Sequence, residues 1–270
     1  RFTLGSVRVK EAFEGGDASN TEINLALINA LNAANIDAKM MLLSTRSHGL
    51  PTQLYPVITD FNHVIASAQI NGTNYLLDAN HKVTPFGILP FWDLNGQGRL
   101  MDFKKGSSWV TIEPHKKNTW FLNAQLKIDE NATISGNVAE TYIGYKGIEK
   151  RTEINKKKQD EYLKDWQKLY TDLEISDYKN ENLHDLEQNL KETYTVQLQL
   201  DEADQVFLYP FFLKKSFDQN PFTLTERKYP VDFGHPKSET FLISVDLNGQ
   251  YEITELPENK IIKIPGGMGE

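Results

Sequence analysis

The stretch "FNHVIASAQINGTNYLLDAN", residues 61–80, constrains the fold more than any other. Two apolar runs flank Asn71-Gly72, a residue pair that favours a two-residue hairpin turn because both positions tolerate a positive φ. The chain is therefore expected to reverse here into two antiparallel strands. His63 opens the first strand and Asp78 closes the second. A hairpin brings its outer ends together, so these two residues are placed as a catalytic histidine and its orienting aspartate would be. Such a pair normally serves a nucleophile.

The sequence contains no cysteine, which excludes a thiolate nucleophile, disulfides and thiolate metal sites. Upstream, "NTEINLALINALNAA" (20–34) has helical periodicity, with Ile23, Leu27, Leu31 and Ala34 three or four residues apart and Ile28 beside them. Ser19 and Glu22 fit the S-x-x-E capping box, and Asn35 suits the left-handed position after the last turn. "IDAKMMLLST" reads as a buried strand. Beyond Asp78 lies "FGILPFWDLNGQGRLMDF", a loop-rich stretch ending in a short strand, followed by "SSWVTIEP".

With 270 residues, two domains are expected. Pro114 and "HKKN" mark the boundary, giving residues 1–114 and 115–270. The second part alternates in the manner of β strands at "TWFLNAQLKIDENATISGNVAETYIG", "YTVQLQL", "QVFLYPFF", "ETFLISVDL" and "YEITEL". One charged helix is predicted over 152–171, with Tyr162, Trp166, Leu169 and Tyr170 on its apolar stripe. Net charge is −8 and basic runs are local, so no nucleic-acid partner is expected. No apolar run reaches a membrane span, and no signal peptide opens the sequence, which starts as a trimmed chain would.

"STRSHG", the 61–80 hairpin and "GILP" resemble the transglutaminase-like segment of a group of Bacteroidetes multidomain proteins. In the same proteins a trailing β-sandwich of unknown function resembles "NPFTLTERKYPVDFG" (220–234) and "ETFLISVDLNGQYEITELPE". The resemblance implies an α+β fold. A transglutaminase-like helix-plus-antiparallel-sheet domain would be followed by a mainly β sandwich with an inserted helix. It also implies a bacterial envelope or periplasmic location. Carried over, the family's histidine is His63 and its aspartate Asp78, while Asn20 stands at the position of the lost cysteine.

Several readings follow from that loss. Ser19, one residue away, either caps the helix or serves as a displaced nucleophile for a peptidase or transamidase. His63 and Asp78 are either a retained buried hydrogen bond or part of a pocket that binds a peptide or glycan without turnover. Trp92, in the loop after the aspartate strand, either anchors that loop or stacks on a ligand. His81 follows Asp78 closely and His48 and His115 lie in loops, but no His/Asp/Glu spacing matches a closed zinc site, so neither metal nor cofactor is expected. "NGQGR" and "PGGMG" lack the strand–loop–helix setting of a phosphate loop. The expected protein is a non-catalytic binding or structural module, whose partners are a peptide or glycan ligand, other domains or envelope proteins.

Overall fold

The computed structural model describes residues 8–55, 57–167, 173–200, 206, 208, 220, 222–226 and 231–263. Two helices come first, α1 (Val9–Gly15) and α2 (Asn20–Ala33). Five strands follow: β1 (Asp37–Leu43), β2 (His63–Ile70), β3 (Thr73–Leu77), β4 (Gln97–Asp102) and β5 (Gly106–Thr111). They form an antiparallel sheet in the order β3-β2-β1-β4-β5. The hairpin turn is as the sequence predicts: Asn71 and Gly72 have φ of 50° and 82°, and Ile70 pairs with Thr73.

The second half adds β6 (Asn118–Ile128), β7 (Thr133–Ile143), α3 (Tyr145–Asn155), α4 (Gln159–Gln167), β8 (Leu173–Glu181), β9 (Leu190–Gln199) and β10 (Lys237–Asp246). Its sheet runs β10-β6-β7-β9-β8, with β10 parallel to β6 and every other pair antiparallel. Among the described residues no helix is long and apolar enough to cross a membrane.

This architecture corrects the α+β expectation. Among the described residues the chain is mostly β, with 37% strand against 20% helix, arranged as two five-stranded sheets. Nor do the described residues of the second half form a sandwich. The apolar face of its sheet, carrying Trp120, Leu122, Leu126, Val138 and Tyr194, packs on Ile154, Tyr162 and Trp166 from α3 and α4. The opposite face presents Gln125, Asn137, Thr193 and Gln197 to solvent or near it, the pattern of a sheet wetted on one side. The single helix expected over 152–171 is two, separated around Lys156-Lys157-Lys158, and Leu169 and Tyr170 lie outside the described residues. "YEITEL" is not a strand, and "QVFLYPFF" falls outside the described residues apart from Val206 and Leu208. Strand β8 escaped the sequence reading because "LEISDYKNE" is polar; it is an edge strand with a bulge between Ser176 and Lys179.

The first sheet is covered on both faces. Leu42, Val64, Ala66 and Ala68 pack against Ile28 of α2, while Met41, Leu43 and Ile65 pack against Ile88, Leu89 and Leu94. Tyr145 and Ile148 of α3 join that second cluster, whereas Ile154 of the same helix enters the core of the other sheet. One helix thus serves two cores. Double coverage explains why β2 is buried without alternation from His63 to Ala68.

The core of the second sheet holds two buried glutamates, Glu140 on β7 and Glu192 on β9, directly opposite each other. Facing like charges would be destabilising without compensation. Glu140 accepts hydrogen bonds from Trp120 Nε1, Tyr142 Oη and Tyr194 Oη, each at 2.7 Å. Glu192 Oε1 accepts from Tyr162 Oη at 2.9 Å and Tyr178 Oη at 2.6 Å, and its Oε2 lies 3.9 Å from Lys150 Nζ. Lys150 in turn sits over the rings of Tyr142, Tyr162 and Trp166.

Candidate functional site

The start of α2, the first residue of β2 and the end of β3 meet at one edge of the first sheet. Ser19 is the N-cap of α2, and its capping box is complete. Ser19 Oγ accepts from Glu22 N at 3.3 Å and donates to Glu22 Oε2 at 2.8 Å, while Ser19 N donates back to Glu22 Oε2 at 2.8 Å. The hydroxyl is thus directed into the cap. Asn20 is the first helical residue; its carbonyl accepts from Asn80 Nδ2 at 3.2 Å.

One turn further on, Asn24 is wholly buried and ties three segments together. Its Nδ2 donates to Val64 O at 2.7 Å and to Asp78 Oδ1 at 2.8 Å, and its Oδ1 accepts from Ala79 N at 2.8 Å. The face of α2 that is most buried is therefore Thr21, Asn24 and Ile28; Ile28 is expected beside the apolar stripe, whereas Ile23, Leu27 and Leu31 are half-buried. A polar residue in the buried stripe of an amphipathic helix was the available signal, and hydrophobic periodicity alone passes over it.

His63 and Asp78 are brought together as the hairpin predicts. Both side chains are completely buried, with His63 Nε2 3.2 Å from Asp78 Oδ2. Asp78 Oδ1 also accepts from the backbone N–H and side-chain amide of Asn80. Burial works to raise the Asp78 carboxyl, but hydrogen bonds from His63 and Asn24, with the His63 charge, outweigh it and hold the pKa at about 2.

A third residue completes the group. Asp93 sits on a short 3-10 turn, Phe91–Asp93, in the loop over the same sheet face. Its side chain is wholly buried, with Oδ1 3.6 Å from His63 Nε2. Neither carboxylate oxygen has a hydrogen-bond partner among the described residues. Burial, then the nearby Asp78 charge and a hydrogen bond to that carboxylate from the protonated form, push Asp93 well above the usual carboxylate range. Beside it lies Tyr145 of α3, whose buried hydroxyl also lacks a hydrogen bond and whose pKa is pushed to about 12 by burial and the Asp93 charge. Tyr145 stacks on the buried His235, ring centroids 4.2 Å apart.

Trp92, the sequence's ligand-stacking candidate, is half-buried and packs edge-on against His81 at 5.4 Å, near rather than within this group. Arg46 fastens the same loop: it donates to Leu94 O at 2.7 Å and to Asp232 Oδ2 at 2.9 Å, and its guanidinium covers the Phe91 ring. His48 Nε2 contacts Thr59 O instead, and His115 is exposed. Sequence reading missed Asn24, Asp93 and Tyr145, because nothing in their spacing links them to His63.

Chemically, the group offers a histidine between two carboxylates, shut from solvent, in a sequence without a thiol. Residues 204–269 match a family described as a domain of unknown function with a solved structure, DUF3858. That region contains Asp232, His235 and β10, so the trailing part of the expected resemblance is shown. The transglutaminase-like resemblance of residues 1–114 has no match in support. No curated protein matches the chain. No solved structure matches it either.

Proposed function

We propose that the chain is a catalytically defective relative of transglutaminase-like proteins, acting as a binding or structural module of a bacterial cell envelope. One observation carries this reading: the His63 and Asp78 side chains are fully buried, in a sequence without cysteine. A general base must reach the proton that it takes, and a sealed imidazole meets neither substrate nor water. The engagement of Ser19 in its cap supports the same view, since its hydroxyl is already held by Glu22. The pair then serves to lock α2 onto the hairpin. The ligand fitting the proposal is a peptide or glycan, held on the surface without turnover.

The test is a product search by mass spectrometry. The chain is incubated with a peptide pool and with peptidoglycan fragments, alongside Ser19→Ala and His63→Gln. Unchanged substrates in every sample are expected. Cleaved or cross-linked products that disappear in His63→Gln would overturn the proposal, and their loss in Ser19→Ala would name the nucleophile.

A further inference from the structure

Two carboxylates and an imidazole sealed in one interior pose a charge problem that hydrogen bonding does not solve. Asp78 is well supplied, by Asn24, Asn80 and His63. Asp93 is not: it is wholly buried, among the described residues no N–H or O–H group donates to either oxygen, and its carboxyl lies against that of Asp78. A carboxylate in that state is costly unless it is paired or coordinates a cation.

The geometry points to a divalent cation of the zinc class, bound by His63 Nε2, a carboxylate oxygen of Asp78 and one of Asp93. Three ligand atoms, one from each residue, lie within 4.8 Å of one another. His63 Nε2 is 3.2 Å from Asp78 Oδ2 and 3.6 Å from Asp93 Oδ1. For zinc bonded to N and O donors at about 2.0–2.1 Å, neighbouring corners of a tetrahedron are about 3.3–3.4 Å apart, which these separations bracket. By contrast, 3.2 Å is long for a charge-assisted hydrogen bond, which prefers about 2.7–2.9 Å. The charges agree as well: two carboxylates neutralise a dication, and neutral imidazole supplies the third donor.

The surroundings supply what a metal ligand set needs behind it. Asp78 is held in place by Asn24 and Asn80 through its other oxygen. Tyr145, whose hydroxyl has no hydrogen-bond partner among the described residues, lies near Asp93 and can orient a water at a fourth position. The ligands come from the start of β2, the end of β3 and the loop over the sheet, so the ion would pin that loop to the hairpin. Three protein ligands with a water at the fourth corner are the ligand count of a catalytic zinc site, but the burial of all three side chains shuts this ion from substrate. This inference stands whether or not the site has lost a catalytic role.

The test uses the whole chain, stripped with chelator and titrated with Zn2+ by calorimetry and by thermal melting, beside Asp93→Asn and Asp78→Asn. Both variants keep shape and remove a charged ligand. One zinc per chain is expected, with a metal-dependent rise in melting temperature. Affinity should fall at least tenfold in each variant. Stripped Asp93→Asn should melt no lower than the stripped parent, because a neutral amide of the same shape replaces an acid whose charged form burial and Asp78 already disfavour. Co2+ substitution of the parent chain covers the case in which the variants fail to fold: the visible spectrum of a four-coordinate ion with nitrogen ligation is expected. No stoichiometric zinc, zinc bound equally by both folded variants, or a six-coordinate Co2+ spectrum would each overturn the proposal.

Discussion

Each half of the molecule buries a pair of carboxylates, and the two pairs are furnished in opposite ways. In the second sheet Glu140 and Glu192 face each other across β7 and β9, and tyrosine and tryptophan donors surround them, with Lys150 alongside. At the first sheet Asp78 is equally well supplied, while among the described residues no group donates a hydrogen bond to Asp93. A buried acid that the fold satisfies itself is part of the architecture. One that the fold leaves unsatisfied asks for something from outside.

The largest expected effect tests that contrast directly. Glu140→Leu strands three buried donors at once and is expected to lose about 3–5 kcal/mol in urea unfolding. Asp93→Asn in chelator is expected to lose nothing; a comparable loss there would break the comparison. Next comes Asn24→Ala, which deprives Asp78, Val64 O and Ala79 N of their shared partner and should cost about 2–3 kcal/mol. A cost near zero would mean that the amide does not hold α2 to the hairpin.

Alkaline pH separates the two halves by another route. Burial, then the charges of Glu140 and Glu192, raise Tyr142 and Tyr194 well above their ordinary value. Their protonated forms are favoured in the fold, while unfolded tyrosines ionise near pH 10. Stability is thus complete below pH ~10 and falls as pH rises, by about 1.4 kcal/mol per pH unit for each tyrosine that ionises only on unfolding. Tyrosinate absorbance appearing together with loss of circular dichroism is the expected signature. Tyrosinate absorbance at full native ellipticity would show that the aromatic cage is open. The smallest effect is Ser19→Ala, which removes the cap and should cost about 1 kcal/mol. A larger loss, or an altered product pattern, would give Ser19 a role beyond the cap.

Much of the first half was legible because its signals are local. Asn71-Gly72 set the hairpin and hence the pairing of His63 with Asp78. Ser19, Glu22 and Asn35 set the ends of α2, with Asn35 at φ 62°. The second half was harder to read. The strands β6 and β7 alternate clearly, but β8 is a polar edge, and β10 reaches β6 from more than a hundred residues away, a pairing that no short pattern encodes. The expected sandwich failed because alternation reports that one face is buried, not whether a sheet or a helix covers it.

The amino-acid sequence alone determined the hairpin, the helix cap, the absence of a thiol chemistry and the meeting of one histidine with one aspartate. Turn residues, capping residues and composition act over a few positions, so they can be read without the fold. Only the tertiary structure decided that Asp93 joins that pair, that Asn24 anchors it, and that α3 is shared between two cores. Each of those depends on loops and helices docking over a sheet face. The burial they create is what turns an ordinary aspartate into an interior acid needing a partner.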